Sequence, residues 1–177
     1  SIDSATMVNK LFELIEANKI FNIDIKNIKI LSHPNSYVHA IVKFKNGLTK
    51  ILIHDTNMKI PIFNSLYSSS NIISSKKIDL KILNNLDFKT VDYGRFPLTK
   101  ILNILPEKSS LFETILVSIN DKLVELFLDN KIKYTDISKK MNKMINLYRL
   151  KKYKNIKPKN IEEIIKMNEK IKSEIKY

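Results

Sequence analysis

Cysteine and tryptophan are both absent from the 177 residues, and glycine occurs only twice, at Gly47 and Gly94. Without cysteine there are no disulfides and no thiolate metal sites, which fits a reducing compartment. The two glycines are too far apart for a G-x-G-x-x-G turn, so a dinucleotide-binding strand-turn-helix of that kind is excluded. No apolar run approaches the roughly 20 residues of a membrane-spanning helix, and no basic-then-apolar leader opens the chain. Acidic side chains are scarce as well: 18 Asp and Glu against 31 Lys and Arg leave a formal net charge of +13.

That charge is the main argument for a nucleic-acid partner. The densest basic run is Arg149 to Lys154, continuing through Lys157 and Lys159. Yet lysines are spread from Lys10 to Lys176, only Arg95 accompanies Arg149, and aromatics do not interleave with the basic residues as a stacking platform requires. The abundance of Lys, Ile and Asn points instead to compositional bias, and neither a nucleic-acid nor a membrane partner is expected. With 44% hydrophobic residues the chain has enough apolar material for a real core, in one or two domains.

What is present begins at the first residues. Ser4 suits an N-cap, with Met7, Leu11, Leu14 and Ile15 starting an apolar stripe, so the spacing predicts a helix from about Ala5. Asn9, Lys10 and Glu13 lie three or four residues apart and converge on one side of that helix. A helix start with a hydroxyl, an amide and an ammonium suits a phosphate. Glu13 suits polyol hydroxyls or a divalent metal ion, which prefers oxygen ligands. A capped amphipathic helix with an ordinary polar face accounts for the same spacing.

Five collinear segments carry a resemblance. They are Asp3-Ser4-Ala5-Thr6-Met7 with Asn9-Lys10 and Glu13; Ser32-His33-Pro34-Asn35-Ser36-Tyr37-Val38-His39; Asn57-Met58-Lys59-Ile60-Pro61-Ile62; Leu86-Asp87-Phe88 with Asp92 to Pro97; and Phe127 to Ile137. In this order they resemble the 1-deoxy-D-xylulose 5-phosphate reductoisomerase family, NADPH-dependent enzymes of the non-mevalonate isoprenoid pathway. The resemblance implies that Ser4, Asn9 and Lys10 bind the phosphate end and hydroxyls of the sugar phosphate. It further implies that Glu13 holds substrate and a Mg²⁺ or Mn²⁺ ion, that His39 is a catalytic histidine, and that Met58 lies against the nicotinamide ring. His33 and His54 receive no catalytic role. The family's Gly-rich domain, its other metal carboxylates and its Trp-bearing flap have no counterpart here. The chain therefore reads as a C-terminal part, inactive alone, of a homodimeric enzyme working in a bacterial cytosol or plastid-type organelle. A non-catalytic scaffold or dimerisation module is the alternative, with a basic nucleic-acid binder behind it. Departures from the family pattern are Leu11, Lys19, Asn57 and Val117, of which Leu11 could crowd substrate beside Lys10.

The fold class expected is α+β, a sheet packed by the opening helix and followed by a connector and an α-helical C-terminal bundle. Residues 1–66 read as the C-terminal half of a catalytic α+β domain, 67–90 as a connector and 91–177 as the helical domain. Strands are predicted at 28–31, 38–44 and 48–53, with Asn46-Gly47 as a hairpin turn. Ser68-Ser69-Ser70-Asn71 reads as a polar turn. Helices are predicted at 98–105, stopped by Pro106, and at 111–128, opened by a Ser110/Glu113 capping box and closed at Asn130. A further helix carries Ile137, Met141, Met144, Ile145 and Leu147, and a last one starts at Asn160 with Ile161, Ile164, Ile165 and Met167 as its apolar residues.

Overall fold

The computed structural model describes residues 1–68 and 70–176, so Ser69 of the predicted polar turn lies outside the described residues. The α+β class with a helical C-terminal bundle holds. The opening differs from the single helix expected. Helix α1 (Ile2–Thr6) is capped by Ser1, whose Oγ accepts from the Ser4 amide at 3.2 Å, so Ser4 stands inside a helix instead of capping one. Met7 then takes a left-handed conformation, φ 58°, and α2 (Val8–Phe21) begins without a side-chain cap. The cause is burial. Thr6 and Val8 are both buried, and residues two apart on an unbroken helix face nearly opposite ways, so a break between them lets both turn inward. Thr6 Oγ1 also donates to the carbonyls of Ile2 and Asp3 (3.2 and 3.3 Å), closing the first helix on itself.

The chain divides into two compact units, with a boundary between Thr90 and Val91. One comprises Ser1–Ile30 with Val91–Tyr177, the other Leu31–Thr90. The first unit is built on α5 (Leu111–Leu128), whose capping box forms as the sequence requires: Ser110 Oγ accepts from the Phe112 amide (3.2 Å) and Glu113 Oε2 from the Ser110 amide (3.0 Å). Around it pack the 3₁₀ helix Pro97–Ile104, α6 (Tyr134–Ile145), α7 (Tyr148–Lys151) and α8 (Ile161–Glu174). Phe112, Ile115, Leu116, Ile119 and Leu123 are fully enclosed, joined by Leu98, Ile101, Ile137 and Met141. The buried side of the opening helix, Val8, Leu11 and Ile15, belongs to this same core, which is where the predicted sheet-packing face goes. Each such side chain contributes roughly 1.5–3 kcal/mol by leaving water.

Two details of this unit depart from the pattern read in sequence. In α8 the buried residues are Met167 and Ile171, continued by Ile175, at a strict four-residue step, while Ile161 and Ile165 are 70% and 50% exposed. The four-residue stripe leaves those two isoleucines on the outer side and strands Ile164 in the first turn. The predicted strand at 28–31 is displaced because Asp24 caps a 3₁₀ turn, Ile25–Asn27, accepting from the Lys26 amide at 3.1 Å. Among the basic residues of the C-terminal run, Lys154 lays its ammonium over the Phe112 ring, 5.0 Å from the centroid. Burial, with the Lys151 charge behind it, holds the Lys154 amine below the ordinary lysine range.

The second unit contains a short antiparallel pair, β1 (Leu31–Ser32) with β4 (Lys89–Thr90), and the hairpin of β2 (Val38–Lys43) with β3 (Thr49–Ile53). Asn46-Gly47 makes the hairpin turn as predicted: Gly47 adopts φ 89°, and Asn46 Oδ1 accepts from the Leu48 amide at 3.1 Å. A Cβ on Gly47 would meet nothing within 4 Å, so only backbone strain opposes a side chain. Gly47→Ala is expected to lower stability by about 1 kcal/mol, with Gly47→Asn less costly, in chemical denaturation of the two variants. The stretch read as a connector carries α4 (Leu80–Asn84), capped by Asp79, whose Oδ1 accepts from the Lys81 and Ile82 amides at 2.9 and 3.2 Å. Tyr37, which the sequence did not mark as core, is buried and its Oη accepts from the Asp79 amide at 3.4 Å.

Candidate active site

The polar side of α2 is built by the helical repeat. Asn9 and Lys10 sit in its first turn and Glu13 one turn on, so both reach back to the same carboxylate. Asn9 Nδ2 donates to Glu13 Oε1 at 3.3 Å and Lys10 Nζ to Glu13 Oε2 at 2.7 Å. The ion pair is half open to solvent, 46% and 53% exposed at the two side chains, which leaves it available to a ligand. Ser4, exposed on α1, shares a hydrogen bond of 2.8 Å with the Ser1 hydroxyl. The break at Met7 places Asn9 and Lys10 beside the uncapped amides that open α2. Such a start carries partial positive charge and free N–H groups, and with an ammonium beside it favours an anion. Leu11 is fully buried in the core and does not stand beside Lys10 on this surface.

Glu13 offers one anionic oxygen pair to a hard cation. Among the described residues no three His, Cys, Asp or Glu side chains cluster so as to hold a metal ion. A divalent ion of the Mg²⁺ class takes about six oxygen ligands, so Glu13 fits such an ion as a single ligand and cannot hold it alone.

His39 and Met58 belong to the other compact unit. His39 lies on β2 and its ring stacks flat on that of His54, centroids 3.5 Å apart and planes 2° apart, with Nε2 of His39 3.3 Å from the His54 carbonyl oxygen. Met58 opens α3 (Lys59–Leu66) and is 61% exposed. Around the preceding residues is an open hollow of about 410 Å³ lined by Asp55, Thr56, Asn57, Ser74, Ser75 and Lys76. Asp55 ties its two sides together, accepting from the Asn57 amide at 3.1 Å and the Lys76 amide at 3.0 Å. Those bonds, the one from Lys76 first, hold its carboxyl below the ordinary aspartate value of 3.8. A depressed carboxyl pKa stabilises the ionised, folded form, so this tie is present at neutral pH and is lost as the pH falls through the lowered value. His33 is structural: the Val38 amide donates to its Nε2 at 3.2 Å and its ring tilts against Phe88.

Three polar contacts in the first unit were not legible in sequence. Lys19 Nζ meets Glu113 Oε2 at 2.7 Å and Ser109 Oγ at 2.9 Å, and Asn120 Nδ2 donates to Asp3 Oδ1 at 3.0 Å.

A family profile described as the DXP reductoisomerase C-terminal domain matches residues 54–174. The chain is 57% identical over 176 residues to the 1-deoxy-D-xylulose 5-phosphate reductoisomerase of Pelagibacter ubique, covering 99% of this chain and 45% of that protein. It is 34% identical over 177 residues to the enzyme of the same name from Clostridium novyi, with the same two coverages, 99% and 45%. Among solved structures it is similar to the Zymomonas mobilis reductoisomerase in complex with NADPH, with TM-score 0.79 and 29% identity over 97% of this chain and 44% of that one. It is also similar to a DOX-P reductoisomerase in complex with NADPH, fosmidomycin and magnesium, with TM-score 0.83 and 30% identity over 97% and 43% of the two chains. The chain thus spans about 45% of the length of the curated relatives it matches.

Proposed function

The chain belongs to the 1-deoxy-D-xylulose 5-phosphate reductoisomerase family, and on that premise we propose that the intact protein converts 1-deoxy-D-xylulose 5-phosphate to 2-C-methyl-D-erythritol 4-phosphate, using NADPH and Mg²⁺ or Mn²⁺. We propose further that it does so as a homodimer in a bacterial cytosol or plastid-type organelle. The observation that carries the reading is the convergence of Asn9 and Lys10 on Glu13 at an exposed helix start.

In this reading Lys10, Asn9 and Ser4 bind the phosphate end of the substrate, assisted by the open amides of α2. Binding energy taken there, away from the reacting carbons, orients the rest of the molecule. Glu13 supplies one carboxylate ligand to the metal and touches substrate hydroxyls. Without ligands, Lys10 and Glu13 neutralise each other; a phosphate at one and a cation at the other separate the pair with every charge still matched. When bound, the metal polarises substrate oxygens and NADPH provides the hydride. His39, its ring plane fixed by the stack on His54, holds a proton or hydrogen bond toward substrate, and the exposed side chain of Met58 offers an apolar surface to the nicotinamide ring.

The test is substrate-dependent oxidation of NADPH by the intact protein in Mg²⁺. Lys10→Ala should raise KM for the sugar phosphate about 10- to 100-fold, the loss of one charge-assisted anchor, with a smaller change in kcat. An intact, folded protein that oxidises no NADPH in the presence of substrate and Mg²⁺ refutes the proposal.

A further inference from the structure

Helix α5 lies in the bundle, yet it is tied to the opening segment at two points in reverse order: Asn120 to Asp3 of α1, and Glu113 to Lys19 near the end of α2. The two α5 residues are two helical turns apart, and between their partners lies the whole stretch that carries Met7, Asn9, Lys10 and Glu13. We infer that Glu113, Lys19 and Asn120 are positioning residues, whose two ties hold the broken α1–α2 segment at both ends and so fix where the phosphate-binding and metal-binding side chains stand. The inference rests on the site reading given above.

Three observations support a positioning role over simple stabilisation. First, an open hollow of about 340 Å³, lined by Phe12, Ile15, Ile20 and Val117 with Lys19 and Glu113, lies at the Lys19 end of α2, where Ile20 and Val117 are exposed and apolar contact is sparse. Where apolar contact does not set a helix's place, a directed ion pair can. Second, Glu113 is buried and its Oε2 serves two donors, the Ser110 amide of the capping box and the Lys19 ammonium, so the tie is anchored to a rigid helix start. Third, Asn120 is buried, and its Oδ1 has no hydrogen-bond partner among the described residues. A half-satisfied buried amide destabilises a core. A leucine there would bury no unpaired amide oxygen, but it could not hold Asp3.

The test compares variants of the intact enzyme. Lys19→Met and Asn120→Leu should each raise KM for the sugar phosphate about tenfold with kcat within about twofold, because displacement of the anchor weakens binding more than chemistry. Glu113→Gln keeps an acceptor for the Ser110 amide but removes the charge that holds the Lys19 ammonium, so it should raise KM in the same direction as Lys19→Met, and the Lys19→Met/Glu113→Gln double variant should be no worse than Lys19→Met alone, since both act on the same tie. Lys19→Arg should restore the parent KM. A merely structural role would lower the thermal midpoint and the active fraction, hence apparent kcat, with KM unchanged, and that outcome overturns the inference. If Lys10→Ala raises KM and the tie variants do not, the ties have no part in positioning while the site reading stands. If Lys10→Ala itself leaves KM unchanged, the site reading falls and this inference with it.

Discussion

Replacing Glu13 by glutamine in the intact protein is expected to lower NADPH-dependent turnover about a thousandfold. The substitution keeps the shape and the hydrogen-bonding reach of the side chain and removes only its charge. A bound metal contributes several kcal/mol of charge stabilisation, and each 1.4 kcal/mol is about tenfold in rate, which sets the size of the effect. Raising the Mg²⁺ concentration should recover part of the activity, because what is lost is one ligand of several. Folding should be unaffected: the carboxylate is 53% exposed, and exposed ion pairs of this kind are worth about 0–1 kcal/mol. Steady-state kinetics across a Mg²⁺ series, with thermal melting alongside, gives both halves of the result. Turnover unchanged in a folded Glu13→Gln protein removes the carboxylate from the metal site.

Phe112→Ala is expected to destabilise the helical unit by about 3–5 kcal/mol, the usual cost of truncating a buried aromatic. Phe112 is fully buried in the first turn of α5, two residues after Ser110, and the Lys154 ammonium lies over its ring, 5.0 Å from the centroid. Its removal leaves a cavity beside the capping box and takes away the surface on which the desolvated lysine rests. Urea denaturation of the two proteins measures the difference. A loss below about 1 kcal/mol would mean that the cavity closes without strain, and that the ring does not organise this end of the core.

What could be read from sequence was what depends on near neighbours. The capping box at Ser110 and Glu113, the left-handed stop at Asn130 and the Asn46-Gly47 hairpin are each decided within five residues, and all three form. The convergence of Asn9 and Lys10 on Glu13 belongs to the same class, because the helical repeat alone brings them together. The break at Met7 was hidden because it arises from the burial of Thr6 and Val8 together, a property of the folded core. For α8 the expected stripe of Ile161, Ile164, Ile165 and Met167 holds only at Met167, which the bundle buries together with Ile171 and Ile175, while Ile161 and Ile165 stay exposed. The association of residues 1–30 with 91–177 left no local trace either. The ties Lys19–Glu113 and Asp3–Asn120 span 94 and 117 residues, and no periodicity in the chain could have pointed from one member to the other.

The left-handed residue between α1 and α2 bears on how this surface could change. A methionine at φ 58° is held against its own preference by roughly 1–2 kcal/mol, a strain that glycine would remove at once. Glycine would also widen the range of angles open to the joint. Asn9 and Lys10 follow that joint by two and three residues, so any swing there is carried straight into the side chains that meet Glu13. At position 7, then, thermal robustness and accuracy of aim pull in opposite directions: the substitution that relaxes the backbone also loosens the hinge on which the ligand-facing turn is mounted.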